Sequence, residues 1–245
     1  MRPQEQEQHP VRQALEPYIE HDRVEALSRY FQTGPGQYAE NDVFIGVSVP
    51  NRREVAKALA FELSEDLLAS AMHHPVHEVR HVAVFIVLRR FSAERQNRPH
   101  WHQFLFDHFE GVNNWDLVDS CAHKIFGRWA YEHGDQRTME ELLNHHNMWY
   151  KRGALVATLF HLSKGNVQPT LDYCPIAAPD ASEILQKAIG WVLKVAYEVN
   201  PTQVLPHLEL YAMEGLYTKL VLRIALEKAS ATFRRSFIEE FYRPS

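Results

Sequence analysis

The chain has 245 residues, 45% of them hydrophobic and 23% charged, which excludes disordered, collagen-like and coiled-coil classes and leaves room for a sizeable core. Its 26 Lys and Arg against 31 Asp and Glu leave a formal charge of −5, a balance that counts against indiscriminate binding of polyanions, where cationic side chains supply most of the affinity. Ten glycines, about 4% against the ~7% average, disfavour turn-rich β-sandwiches and favour long helices joined by short loops.

In chain order, Met1 to Val24 carries Arg and Glu without the apolar stretch of a signal peptide. It reads as an acidic N-terminal extension or first helix of one helical domain spanning 1–245. The first 25 residues hold six acids against three bases, so most of the negative charge lies there. Gly34-Pro35-Gly36 and His74-Pro75 punctuate the next part, followed by apolar residues at three- and four-residue spacing from Val79 to Phe91, the mark of a helix. Its longest apolar run, Val82 to Leu88, is far short of the ~18 residues a membrane span needs. Further punctuation falls at Arg98-Pro99, Gly134-Asp135 and Asn200-Pro201, with helical periodicity in Tyr150 to Leu162 and Ile184 to Tyr197. The Pro169 to Pro179 stretch is expected to be the one long loop. Cys121 and Cys174 cannot build a disulfide framework or a four-thiolate zinc site, and suit a reducing compartment. A cytoplasmic monomer without a membrane partner is the expectation.

Overlaying the apolar helices gives a repeat. Arg80, Asp119, Arg152 and Lys187 occupy one frame at separations of 39, 33 and 35 residues, the spacing of two-helix units of the HEAT or armadillo kind. The expected fold is therefore all-α, a curved solenoid of HEAT-like repeats whose inner helices line a concavity. Equivalent polar positions would point into that groove, giving a locally basic surface around one carboxylate. The alternative is that they solvate or cap helix starts.

Two local patterns suggest chemistry. His77-Glu78-Val79-Arg80-His81 matches H-E-x-x-H, which on a helix sets two imidazoles on one face for zinc with the Glu as base. The continuation supplies no third ligand, because Val82 to Phe91 is apolar; a zinc hydrolase at His77 and His81 is the weaker reading, and no metal or cofactor is called for. In Asn113-Asn114-Trp115-Asp116-Leu117-Val118-Asp119-Ser120, a helix capped by Asn113 or Asn114 places Trp115 and Asp119 at i and i+4 on one face. A carboxylate buried beside an indole needs a cation or hydrogen-bond donors, which Arg152 or a cationic ligand can supply. Trp191 stands four residues after Lys187 and repeats the spacing.

These residues carry a resemblance. Asn114-Trp115-Asp116-Leu117-Val118-Asp119-Ser120, then Asn147-Met148-Trp149-Tyr150-Lys151-Arg152-Gly153-Ala154, then Gln186-Lys187-Ala188-Ile189-Gly190-Trp191-Val192-Leu193, in this order and spacing, resemble the AlkD-type DNA alkylation-repair glycosylases, which are HEAT-like repeat proteins. Arg29-Tyr30 and the Gly46-Val47-Ser48-Val49-Pro50 turn followed by Arg52-Arg53 are similar to that family's N-terminal part. The likeness runs from about Leu27 to beyond Pro201. It implies hydrolysis of the N-glycosidic bond of N3- and N7-alkylated purines in double-stranded DNA, leaving an abasic site, without flipping the lesion into a pocket as glycosylases usually do. By position, the resemblance makes Asp119 the catalytic carboxylate, Trp115 and Trp191 the aromatics flanking the lesion's deoxyribose, Arg152 the base near the adjacent phosphate, and Tyr30 a further DNA contact. Arg52, Arg53, Arg80, Lys187 and Lys194 are expected to grip phosphates without reading sequence. Arg234, Arg235 and Arg243 would reach DNA flanks or simply solvate a helix. The competing class is a HEAT-repeat module that binds DNA or protein and catalyses nothing.

Overall fold

The computed structural model describes residues 7–242 and is helical almost throughout. Among the described residues there is no strand beyond an isolated bridge between Val43 and Val76, and no helix long and apolar enough to cross a membrane. Arg243 lies outside the described residues, as do Arg2 and Glu5 of the acidic N-terminal stretch. The chain divides into two compact units at Cys121/Ala122.

The first unit holds α1 (Pro10–Leu15), α2 (His21–Tyr30), α3 (Val49–Leu59), α4 (Glu65–Met72), α5 (His77–Ala93), α6 (Arg98–Asp107) and α7 (Trp115–Ala122). Helix α5 is its hub, packing on α1, α3, α4 and α6. An unbroken buried stretch from His77 to Val87 surrounds it with neighbours on all sides, which is why its apolar residues do not form a stripe. Helix α3 starts at Ser48, whose hydroxyl accepts the Asn51 N–H at 3.4 Å, and Pro50 sits in the first turn, where its missing N–H costs nothing. Gly46 precedes that cap at φ +87°, and a Cβ there would lie 2.1 Å from the Glu20 carbonyl. Only glycine can fill both the left-handed backbone and the space.

The second unit begins with a π-helical turn, His123–Gly127, and α8 (Arg128–His133). Three helix pairs follow: α9 (Arg137–Asn144) with α10 (Met148–Leu162), α11 (Gln168–Ala177) with α12 (Glu183–Val199), and α13 (Pro201–Met213) with α14 (Lys219–Ala225). Helix α15 (Ala231–Phe241) follows them. Helices α10, α12 and α14 pack side by side in one layer, while α9, α11 and α13 form the other. This is the architecture of an α-solenoid of helical repeats. The Pro169 to Pro179 segment is not a loop: Pro169 occupies the first turn of α11 and Pro175 is accommodated inside it. A proline in the first turn begins a helix as readily as it ends one.

The four frame positions are helical equivalents. Arg80, Asp119, Arg152 and Lys187 are each the fourth or fifth residue of α5, α7, α10 and α12. Cys121 and Cys174 are both buried, and burial pushes the Cys174 thiol up; they serve as core.

Candidate functional site

In the first unit, α7 carries the Trp115 and Asp119 pair, one turn apart and both half-buried. The indole is held by its surroundings. Its Nε1–H donates to the Tyr38 hydroxyl at 3.1 Å, Phe31 stacks on it at 5.3 Å and 22°, and Tyr30 meets it edge-on at 5.8 Å. Phe31 in turn stacks on Phe44 at 4.9 Å. Such stacked and edge-on pairs contribute ~0.5–1.5 kcal/mol each beyond the area they bury. Tyr30 ends α2 and remains 65% exposed, so an aromatic surface stands beside Trp115 where a ligand can reach it.

Behind α7 lies a buried ionic network centred on the H-E-x-x-H segment. His77 bridges two carboxylates, with Nδ1 3.1 Å from Asp42 Oδ2 and Nε2 2.9 Å from Asp116 Oδ2. Asp42 also accepts from Asn114 Nδ2 at 2.6 Å and from the Arg80 guanidinium. One turn along, His81 Nδ1 takes an N–H from Arg52 Nη1 at 2.9 Å, leaving Nε2 to donate to the Ser120 hydroxyl at 3.0 Å. Glu78 is fully buried and accepts the backbone N–H groups of Ile45 (3.1 Å) and Gly46 (2.9 Å), with Arg52 at 3.6 Å. Burial by itself lowers the affinity of His77 for a proton, but the charge and hydrogen bond of Asp116 and the hydrogen bond of Asp42 outweigh it and raise its pKa. Burial would raise Asp116, yet His77 first, then His81 and Arg52, bring it down to about 2. His81, buried and beside the cations Arg52, His77 and Arg53, falls to about 3 despite Asp116, so it is neutral near pH 7.

This arrangement overturns part of the sequence-based expectation. Arg52, 2% exposed, and Arg80, 4% exposed, do not face solvent. Arg52 also donates to the Val47 carbonyl at 2.9 Å, and Arg80 to the His74 (2.8 Å) and Pro75 (3.1 Å) carbonyls. Both guanidiniums balance internal carboxylates and are unavailable to DNA phosphates. Nor does Asn114 close the α7 cap with its side chain, which donates to Asp42; its backbone carbonyl takes the Val118 N–H at 3.1 Å. The metal reading loses its general base, because Glu78 is an anchor for backbone amides. His77, His81 and Asp116 do offer ligand atoms within 4.8 Å of one another, but the cation these groups already face is Arg52, on His81 at 2.9 Å and on Asp116 at 3.9 Å.

Arg53, next along α3, is exposed, with its guanidinium 5.4 Å from the Phe85 ring centre. In the second unit, Arg152 is 6% exposed and its Nη1 donates to the Ile184 carbonyl at 3.0 Å. That bond ties α10 to the first turn of α12, the helix that carries Lys187 and a half-buried Trp191. Lys187 is exposed and pairs with Glu183 at 2.7 Å, and Lys194 pairs with Glu227 at 3.0 Å. Two neighbours in the same motif are structural. Gln186 donates to the Ala178 (3.0 Å) and Asp180 (2.8 Å) carbonyls and accepts from Thr218 at 3.0 Å. At Gly190 a Cβ would sit 2.7 Å from Ile224 Cβ, so its absence lets α12 and α14 approach.

Asp42, Tyr38 and Phe31 were not identified from the sequence. Asp116, inside the Trp-Asp-x-x-Asp segment, is the available signal: a second acid one residue after the tryptophan is turned about 100° from it around the helix, and if buried there needs a cation.

A family model described as "DNA alkylation repair enzyme" matches residues 11–229. No curated protein matches the chain. A solved structure, a predicted DNA alkylation repair enzyme from Enterococcus faecalis, is similar over 87% of this chain and 97% of its own, at 21% identity and a TM-score of 0.65.

Proposed function

The chain belongs to the DNA alkylation repair enzyme family, and from that premise we propose that it is a DNA glycosylase releasing N3- and N7-alkylated purines from double-stranded DNA. The observation that carries this reading is the Trp115 and Asp119 pair: one turn apart on α7, half-buried, beside an exposed Tyr30, on a helix fixed by buried ion pairs. A rigid aromatic face and a carboxylate presented together suit a cationic substrate.

An alkylated purine already carries positive charge, so it leaves as a neutral base and no general acid is needed, unlike ordinary glycoside hydrolysis with its two carboxylates. As the C1′–N bond breaks, charge passes to the sugar. Asp119 stabilises that oxocarbenium-like centre and orients a water whose oxygen bonds to C1′, with the surplus proton lost to solvent. Trp115 attracts the developing charge through its π face, a contribution of ~0.5–2 kcal/mol. Arg53, Lys187 and Lys194 remain as phosphate contacts; the two lysines' ion pairs, to solvated carboxylates at the surface, are weak and readily exchanged for DNA.

The test is release of 7-methylguanine and 3-methyladenine from methylated duplex DNA by the wild type beside Asp119→Asn. The variant is expected to lose ~10²–10³ in rate with unchanged helical content. Full activity in Asp119→Asn refutes the mechanism, and duplex binding with no abasic product from the wild type leaves a binding module instead.

A further inference from the structure

The H-E-x-x-H segment has an unspent role, and it deepens the glycosylase reading on which it rests. His77 and His81 lie one turn apart on α5, and their partners Asp116 and Ser120 lie one turn apart on α7. The two helices therefore meet through a ladder of two rungs. Asp42, His77 and Asp116 make the first; Arg52, His81 and Ser120 make the second. Asp116 and Ser120 each directly follow a residue of the Trp115 and Asp119 pair, so the ladder sets the rotation and height of the helix from which that pair projects.

We propose that His77, as an imidazolium, is the positioning residue of the active site, tying the 31–46 segment to the helix that bears Trp115 and Asp119. Its ring also packs on the aromatic stack itself, 4.6 Å from Phe44 and 5.3 Å from Phe31, so one side chain holds both walls of the Trp115 platform. The carboxylates on either side can accept hydrogen bonds and cannot donate them when ionised, so both ring nitrogens must carry protons for the bridge to stand. Charge supports that state: Asp42, Glu78 and Asp116 face Arg52, Arg80 and His77, three against three, with His81 neutral. Deprotonating His77 leaves one buried carboxylate short of a partner, which opens the first rung and frees α7 to rotate. The burial of this cluster makes such an imbalance costly.

The inference is tested on two independent readouts. In the wild type, ¹⁵N NMR of histidine-labelled protein is expected to show His77 protonated on both nitrogens at pH 7 and titrating above the ordinary 6.5. In single-turnover release of 7-methylguanine, His77→Gln is expected to slow the chemical step about 10- to 100-fold while duplex affinity stays within about threefold, since misplacement of reacting groups acts on chemistry more than on binding. The fall in wild-type rate on the alkaline side of His77's titration is expected to be absent in this variant. Asp42→Asn, which removes the charge and keeps a polar partner for Asn114, is expected to slow the same step if His77→Gln does not fold. A singly protonated His77 at pH 7, or variants with wild-type rate and pH profile, overturns the proposal. A doubly protonated His77 in a wild type that releases no base overturns the glycosylase reading, and the positioning role with it, while leaving the ladder as a structural device.

Discussion

Replacing Glu78 with alanine tests the network where its cost can be worked out. The buried carboxylate accepts two backbone N–H groups, from Ile45 and Gly46, and lies 3.6 Å from the Arg52 guanidinium. An orphaned buried donor costs ~1–3 kcal/mol, and removing one member of a buried ion pair costs ~3–5 kcal/mol because the survivor's charge stays behind. The terms share one carboxylate and overlap, so Glu78→Ala is expected to lose ~3–5 kcal/mol, a large part of the ~5–15 kcal/mol typical of a whole protein. Urea unfolding followed by circular dichroism measures this directly; in a thermal melt the loss corresponds to a fall of ~6–20 °C, at ~2–4 °C per kcal/mol for a chain of this size. Glu78→Gln keeps an acceptor oxygen for the amides while discarding the charge, and is expected to fall between alanine and wild type. A loss below ~1 kcal/mol in Glu78→Ala refutes the anchor. The zinc-hydrolase reading predicts the reverse pattern, an intact fold with metal-dependent hydrolysis abolished.

Gly190→Ala places a methyl 2.7 Å from Ile224 Cβ, and the forced separation of α12 and α14 is expected to cost ~1–3 kcal/mol by the same unfolding measurement. Acid should destabilise the protein. His81 binds its proton only at about 3 when folded but near 6.5 when unfolded, and His207 only at about 4, so stability falls as pH drops below ~6.5. Asp116, held at about 2, adds a further loss below ~4, where the unfolded carboxylate takes its proton. The urea midpoint followed from pH 7 to 4 checks this, with His81→Gln expected to flatten the profile. In duplex binding, Arg53→Ala and Lys187→Ala are each expected to reduce the slope of log affinity against log salt by ~0.9; unchanged slopes remove those side chains from the phosphate contacts.

Much of this was legible beforehand. The three- and four-residue periodicity marks the helices, and the spacing of Arg80, Asp119, Arg152 and Lys187 picks out equivalent positions near the starts of four helices. What it could not supply was direction. A basic residue at a helix start reads the same whether it meets solvent or a buried carboxylate, and the partners that internalise Arg80 and Arg52 are Asp42 and Glu78, 38 and 26 residues away in sequence. On sequence alone Arg80 therefore reads as part of a basic groove, although its charge is balanced inside by Asp42. The Pro169 to Pro179 stretch failed for a different reason: proline's meaning depends on whether it opens a helix or falls within one, and here it does both. Asp119 and Trp115 were found because their motif is local, whereas the aromatic shelf around them is assembled from residues 30 to 44.

The three-against-three balance beneath α7 has a consequence for how this protein can change over time. Any single replacement that adds or removes a charge among Asp42, Arg52, His77, Glu78, Arg80 and Asp116 leaves a net charge in the interior, so one-step neutral drift through these positions is blocked. Substitutions there should be accepted as compensating pairs, Asp42 with Arg80 and Glu78 with Arg52, which makes joint variation at distant positions the imprint of this cluster across related chains.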